Sequence, residues 1–256
     1  VTRVDRLAAT LVFICLFASG CGKKIDPFPE PGNVTEKVSI YRRSSLGPIV
    51  VIFTPYPIEP SSPPDGVRDA AIRAVGGRSC SVASFYWPER SLSERWIADQ
   101  LELRIEMGTP LNIILAGHSL GATAAAETAR YVMANHPEAV ISLLLTVDAI
   151  KTGKIGSTAG TAGAVIAGSI PGIKTNLTAY DSAPQPDGRG LLRHVNYFQQ
   201  NSSLYHGVNM PYAENRPLYD SSGLLNHGNA DDFAVPLMTQ DFGHALNFPG
   251  VIGGIR

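Results

Sequence analysis

The chain has 256 residues, 44% of them hydrophobic and 17% charged, with a formal net charge of −1. That is enough apolar chain for one large α/β domain or two small ones. The near-neutral balance argues against a nucleic-acid footprint or an electrostatic membrane patch.

The first segment reads as a processing signal rather than as part of a fold. "VTRVDR" is basic, "LAATLVFICLFAS" is an apolar run, and small residues precede a cysteine in Ala18-Ser19-Gly20-Cys21. The run falls short of the ~20 residues that span a bilayer comfortably. This arrangement resembles the bacterial lipobox, in which the cysteine thiol is lipidated and becomes the mature N-terminus, although Ala18 stands where such boxes usually have Leu. The resemblance implies a signal peptide over 1–20, lipid on Cys21, and a cell-envelope protein held to a membrane by acyl chains, each buried CH₂ contributing about 0.8 kcal/mol. With Cys15 in the signal and Cys21 lipidated, Cys80 is left alone, so no intramolecular disulfide is expected and the fold must rest on its core.

Residues 21–47 are polar and Pro-broken, which suits a tether, with "VTEKVSIY" a possible first strand. From residue 48 strand and helix signals alternate. "IVVIF" is a continuous β-branched run, and a Pro-rich loop leads to a helix over "DGVRDAAIRAV". "CSVASFYW" is strand-like, and "SLSERWIADQLELRIEM" is a helix with Ser93 as its expected cap. "LNIILA" is a buried strand, "LGATAAAETARYVMAN" a helix, and "AVISLLLTV" another strand. Strands apolar throughout belong to parallel sheets covered on both faces. The expected fold class is α/β, one mostly parallel, doubly wound domain over 48–256. Residues 151–190, rich in Gly, Ala, Ser and Thr, form an insertion or lid; "HVNYFQ" is a strand, and the last fifty or so residues read mostly as loops.

"GHSLGA", Gly117 to Ala122, lies between strand and helix signals and carries the G-x-S-x-G pattern of a nucleophile elbow. The serine needs a strained turn, so Gly117 and Gly121 remove side chains that would collide around it. Its hydroxyl then projects above the carboxyl edge of the sheet, beside a helix N-terminus whose free N–H groups favour an anion.

These residues resemble the α/β-hydrolase superfamily, and "GHSLGA" with the later "LLLTVDA" looks like its pancreatic-type lipase branch. The resemblance covers roughly residues 48–150 and implies a serine hydrolase acting on carboxylic esters, with triad order Ser, acid, His. One departure is Thr54-Pro55, where that branch usually has His-Gly after the oxyanion strand.

A serine hydroxyl needs a base to attack a carbonyl, and the base needs a carboxylate to fix its tautomer. Ser119 is the expected nucleophile. Asp148 is the expected acid: it ends an apolar strand 29 positions after Ser119, one helix and one strand later. His244, in a loop near the C-terminus, is the expected base, with His227 and His206 as alternatives. His118 lies inside the elbow, His136 at the far end of its helix, and His194 at the start of a strand. The backbone N–H groups of Leu120 and Tyr56 are the expected oxyanion donors, since Pro55 has none. No H-E-x-x-H, paired C-x-x-C or EF-hand spacing occurs, so neither metal nor cofactor is expected. The expected substrate is a small acyl ester or lipid, with no nucleic-acid partner. The competing reading is a catalytically silent scaffold of the same fold, serving as an envelope binding or assembly lipoprotein.

Overall fold

In a computed structural model, the described residues are 38–42, 47–56, 65–151, 178–179, 183–200 and 207–250, and all fall within one compact unit. The signal segment with Cys21, the alternative base His206, and residues 152–177 of the expected insertion lie outside them.

The strands are β1 (Val38–Arg42), β2 (Ile49–Thr54), β3 (Ser81–Tyr86), β4 (Asn112–His118), β5 (Val140–Val147), β6 (Ile150–Lys151), β7 (Thr178–Ala179), β8 (His194–Gln199) and β9 (Glu214–Leu218). The helices are α1 (Gly66–Val75), α2 (Arg90–Met107), α3 (Leu120–Asn135) and α4 (Ala230–Leu246). Seven strands form one sheet in the order β1-β3-β2-β4-β5-β8-β9. β1 runs antiparallel to β3, and every other neighbouring pair is parallel. β6 and β7 form a separate two-stranded ladder.

Strands β2, β4 and β5 are buried along their whole length, as expected of apolar runs covered on both faces. Along β2 the side chains alternate between two cores. Ile49, Val51 and Phe53 meet Ile97 and Leu101 of α2 and the alanines of α3, whereas Val50 and Ile52 meet Val67 and Ala70 of α1 and Ala234, Met238 and Phe242 of α4. Among the described residues the fold is therefore a doubly wound α/β arrangement, with two helices on each face of a mostly parallel sheet.

Three details differ from the sequence reading. Helix α2 starts at Arg90, after a 3₁₀ turn over Trp87–Glu89, so Ser93 is not its cap. Ser93 is buried inside the helix and donates to the Arg90 carbonyl at 2.6 Å. Cys80 is buried but precedes β3 rather than belonging to it. The largest difference is at the C-terminus, where the presumed loops contain strand β9 and the 17-residue helix α4.

Both missed elements carry a proline. Pro217 sits in β9, an edge strand, where a missing N–H costs no central ladder bond. Pro236 lies inside α4 on its exposed side. It removes one i→i−4 bond and normally breaks a helix. Here the opposite face, with Ala234, Met238 and Phe242 fully buried, holds the helix to the sheet, and Asp231 and Asp232 suit its positive N-terminal end.

Candidate active site

The order of the sheet reverses between β2 and β4, which are neighbours, and in such sheets ligands bind at the carboxyl ends flanking that point. Register aligns these ends: Phe53 pairs with Gly117, His118 with Val147, and Val147 with Tyr197. The residues that follow, Thr54 to Tyr56, Ser119 and Asp148, therefore emerge along one edge.

Ser119 joins β4 directly to α3 with φ 57° and ψ −122°, a conformation that L-residues rarely adopt. Its backbone is held from both sides. The Ser119 N–H donates to the Val147 carbonyl at 2.9 Å, and the Ser119 carbonyl accepts from Ala122 at 3.2 Å and Ile150 at 3.4 Å. The two elbow glycines are required by contact rather than by φ. A Cβ on Gly121 would lie 2.1 Å from the Phe53 carbonyl oxygen, and one on Gly117 would lie 2.4 Å from the backbone of Gly121. Helix α3 can lie this close to β2 only because its sheet-facing side is Ala122, Ala125, Ala126 and Ala129.

Asp148 follows β5 with φ 44° and is fully buried. Its N–H donates to the Tyr197 carbonyl at 2.8 Å, and its Oδ1 accepts from the Gln199 N–H at 2.8 Å. The chain then closes over it: a Cβ on Gly207 would stand 2.3 Å from Asp148 Oδ1.

The histidine beside Ser119 is His227, not His244. Its Nε2 lies 2.9 Å from Ser119 Oγ, and its Nδ1 lies 3.3 Å from Asp148 Oδ2. A carboxylate only accepts, so the Nδ1 hydrogen faces Asp148 and the Nε2 lone pair is free to take the serine proton. His244 sits in the last turn of α4 and is exposed there. It is 14 residues beyond the first position of that helix, roughly 21 Å at the α-helical rise. The difference from the sequence expectation follows from the helix that the sequence did not reveal. With the C-terminal region read as loops, the last histidine looked deliverable to the sheet edge, whereas α4 carries it away from the end where His227 stands.

His227 opens a 3₁₀ turn whose shape is set by two asparagines. Asn226 Oδ1 accepts from Gly228 N–H at 2.8 Å, and Asn229 Oδ1 accepts from Asn226 N–H at 2.8 Å, a reciprocal capping box. Both side-chain amides also donate to the Leu224 carbonyl at 3.1 Å. The tetrapeptide "NHGN" was the sequence signal for a fixed histidine turn.

Two further carboxylates, a tyrosine and a histidine lie beside this site. His118 is buried, with Nε2 2.8 Å from the His227 carbonyl and Nδ1 3.5 Å from Asp231 Oδ1. Burial pulls its pKa below the ordinary histidine value, with Asp231 opposing that shift. Asp231 Oδ2 accepts from the Gly66 N–H at 2.8 Å, joining the starts of α1 and α4. Asp65 caps α1 through Arg68 N–H at 2.8 Å, and burial, reinforced by the charge of Asp231, raises its carboxyl to about 7. Burial and the same two carboxylates raise the Tyr56 phenol.

Tyr56 lies two residues beyond β2, and its carbonyl accepts from Thr54 Oγ1 at 2.7 Å. Leu120 is the first residue of α3, where an N–H has no partner within the helix. Together the elements can supply a hydroxyl, a base hydrogen-bonded to it, a carboxylate behind the base and a helix N-terminus beside the hydroxyl.

No protein-family model and no curated protein matches this sequence. Solved structures do resemble it. Carboxyl esterase 2 from the fungus Tuber melanosporum is 12% identical over 91% of this chain and 98% of its own, with a TM-score of 0.47. A lidless α/β serine hydrolase from Xanthomonas campestris is 11% identical over 81% and 85%, with a TM-score of 0.43. An esterase from the archaeon Pyrobaculum calidifontis is 16% identical over 81% and 78%, with a TM-score of 0.41.

Proposed function

We propose that this chain is a serine hydrolase that cleaves carboxylic esters through Ser119, His227 and Asp148. The observation that carries the reading is the pair of contacts made by one imidazole, 2.9 Å from Ser119 Oγ and 3.3 Å from Asp148 Oδ2.

In the proposed reaction Ser119 Oγ attacks the acyl carbon while His227 Nε2 takes the hydroxyl proton. Asp148 holds the ring and stabilises the imidazolium that forms. The carbonyl oxygen becomes an oxyanion facing the N–H groups of Leu120 and Tyr56, each such donor being worth about 10²–10³ in turnover. Collapse expels the alcohol, which receives the proton from His227, and leaves an acyl-serine. Water, deprotonated by the same imidazole, repeats the addition and releases the acid. General acid–base assistance of this kind contributes about 10²–10⁴. The substrate class is a small acyl ester or lipid.

The N-terminal pattern adds a second part to the proposal: lipid on Cys21 and attachment to a bacterial envelope membrane. Its support is the order of basic, apolar and small residues before that cysteine. Metabolic labelling with a fatty acid, lost in Cys21→Ser, is the expected result; equal labelling of both chains would reject it.

Labelling by a fluorophosphonate probe that disappears in Ser119→Ala tests the hydrolase reading. A folded protein that neither labels nor turns over p-nitrophenyl esters of any chain length would overturn it in favour of the silent scaffold.

A further inference from the structure

We infer that His118, the residue immediately before the elbow serine, is a positioning residue for His227, and that it acts through the His227 backbone with Asp231 behind it. The inference rests on the hydrolase reading for its consequence in turnover.

The geometry starts from a donor assignment. The His227 carbonyl oxygen, 2.8 Å from His118 Nε2, can only accept, so Nε2 carries the hydrogen. That leaves His118 Nδ1 directed at Asp231 Oδ1, 3.5 Å away. Asp231 in turn is held by the Gly66 N–H through its other oxygen at 2.8 Å. A chain of polar contacts thus runs from the first residue of α1, through Asp231 and His118, to the backbone of the base.

The placement matters because the three members of the proposed triad stand on different kinds of element. Ser119 and Asp148 follow paired, buried strands, whereas His227 stands on a short turn beyond β9. The asparagine capping box gives that turn its shape but bonds only within 224–229, so it does not fix the turn against the sheet. His118 does. It is the last residue of β4, its ring is 3% exposed, and its ring centroid lies 5.2 Å from that of His227. One segment therefore presents the nucleophile and sets the distance at which the base approaches it. A misplacement on the order of 1 Å at such a contact can cost about 10²-fold in rate.

The test uses the full chain and p-nitrophenyl butyrate. His118→Phe keeps a ring and removes the donor; His118→Gln keeps an amide N–H that can reach the same carbonyl. His118→Phe is expected to lower kcat by about 30- to 100-fold with KM changed less than about threefold, and His118→Gln to recover to within about fivefold of wild type. The downfield Nδ1–H resonance of His227, assigned by its loss in His227→Ala, should shift or broaden in His118→Phe and return in His118→Gln. Wild-type kcat and an unmoved resonance in folded His118→Phe would overturn the inference, as would a His118→Gln protein as impaired as His118→Phe, which would mark a space-filling role. Should His118→Phe not fold, His118→Gln decides: a loss beyond about 30-fold or a displaced resonance overturns it. The resonance needs no turnover, so a wild-type chain inert to every ester would remove the hydrolase reading while leaving this contact to be judged on the spectrum.

Discussion

Ser119 Oγ and His227 Nε2 lie 2.9 Å apart although 108 positions separate them in the chain. Helix α4 carries the other late histidine, His244, away from this contact. His227→Ala is therefore expected to lower kcat/KM for p-nitrophenyl butyrate by at least about 10³-fold, as loss of a base from such a triad does. His244→Ala should stay within about twofold, an exposed substitution having little to disturb. Steady-state kinetics on the two purified variants decide between the histidines; the reverse pattern would return the role to His244.

Gly207 closes over Asp148 with no room for a methyl group, a Cβ there standing 2.3 Å from Oδ1 and 2.4 Å from Phe198 Cβ. In Gly207→Ala the carboxylate must turn or the backbone after β8 must lift. We expect kcat to fall about 10²-fold with a stability loss of about 1–3 kcal/mol. Unaltered turnover would mean that the loop yields and the acid does not.

At Gly121 the obstacle is backbone rather than side chain, since the Phe53 carbonyl would be 2.1 Å from the added carbon. Gly121→Ala should separate α3 from β2 and destabilise the protein by about 3 kcal/mol, read by urea unfolding. Loss of activity without a change in the unfolding midpoint would show that the contact shapes only the nucleophile.

Asp65 gives the protein a pH dependence that runs opposite to ordinary acid denaturation. Burial raises its folded-state carboxyl to about 7 against 3.8 for the free group, so between those values the folded chain holds a proton that the unfolded chain has released. The contribution is complete below the lower value and disappears as pH rises through the upper one. Between pH 5 and 8 wild type should lose roughly 2–3 kcal/mol through this group. Asp65→Asn keeps an oxygen for the Arg68 N–H, retains the cap and should be relatively more stable at pH 8 than at pH 5. Denaturant midpoints at both values check this; an equal difference at each pH would refute it.

Much of the sheet was legible because its strands are uniformly apolar and its elbow is punctuated by glycine. Helix α3 and strands β2 and β8 fall where the periodicity puts them, and Ser119 and Asp148 emerge at the expected edge. The pattern failed where tertiary packing overrode a local rule. Pro236 and Pro217 both argue against the elements that contain them, and only burial of the opposite face, or an edge position, reverses that argument. The difference then carries from fold to site, since which histidine stands beside Ser119 depends on whether residues 230–246 are helix. The placement of His118 and Asp231 is not legible in the sequence for a different reason. Their roles depend on contacts between segments 109 positions apart, which no local spacing reveals.

A histidine mounted on a short turn and two partners rooted in a sheet are not expected to come apart at the same temperature. His227 is the triad member with side-chain exposure of 16%, against none for Asp148. Segments of low local stability open before the global transition. Warming should therefore abolish the proposed activity while the strands remain intact, and cooling should restore it without any refolding of the sheet.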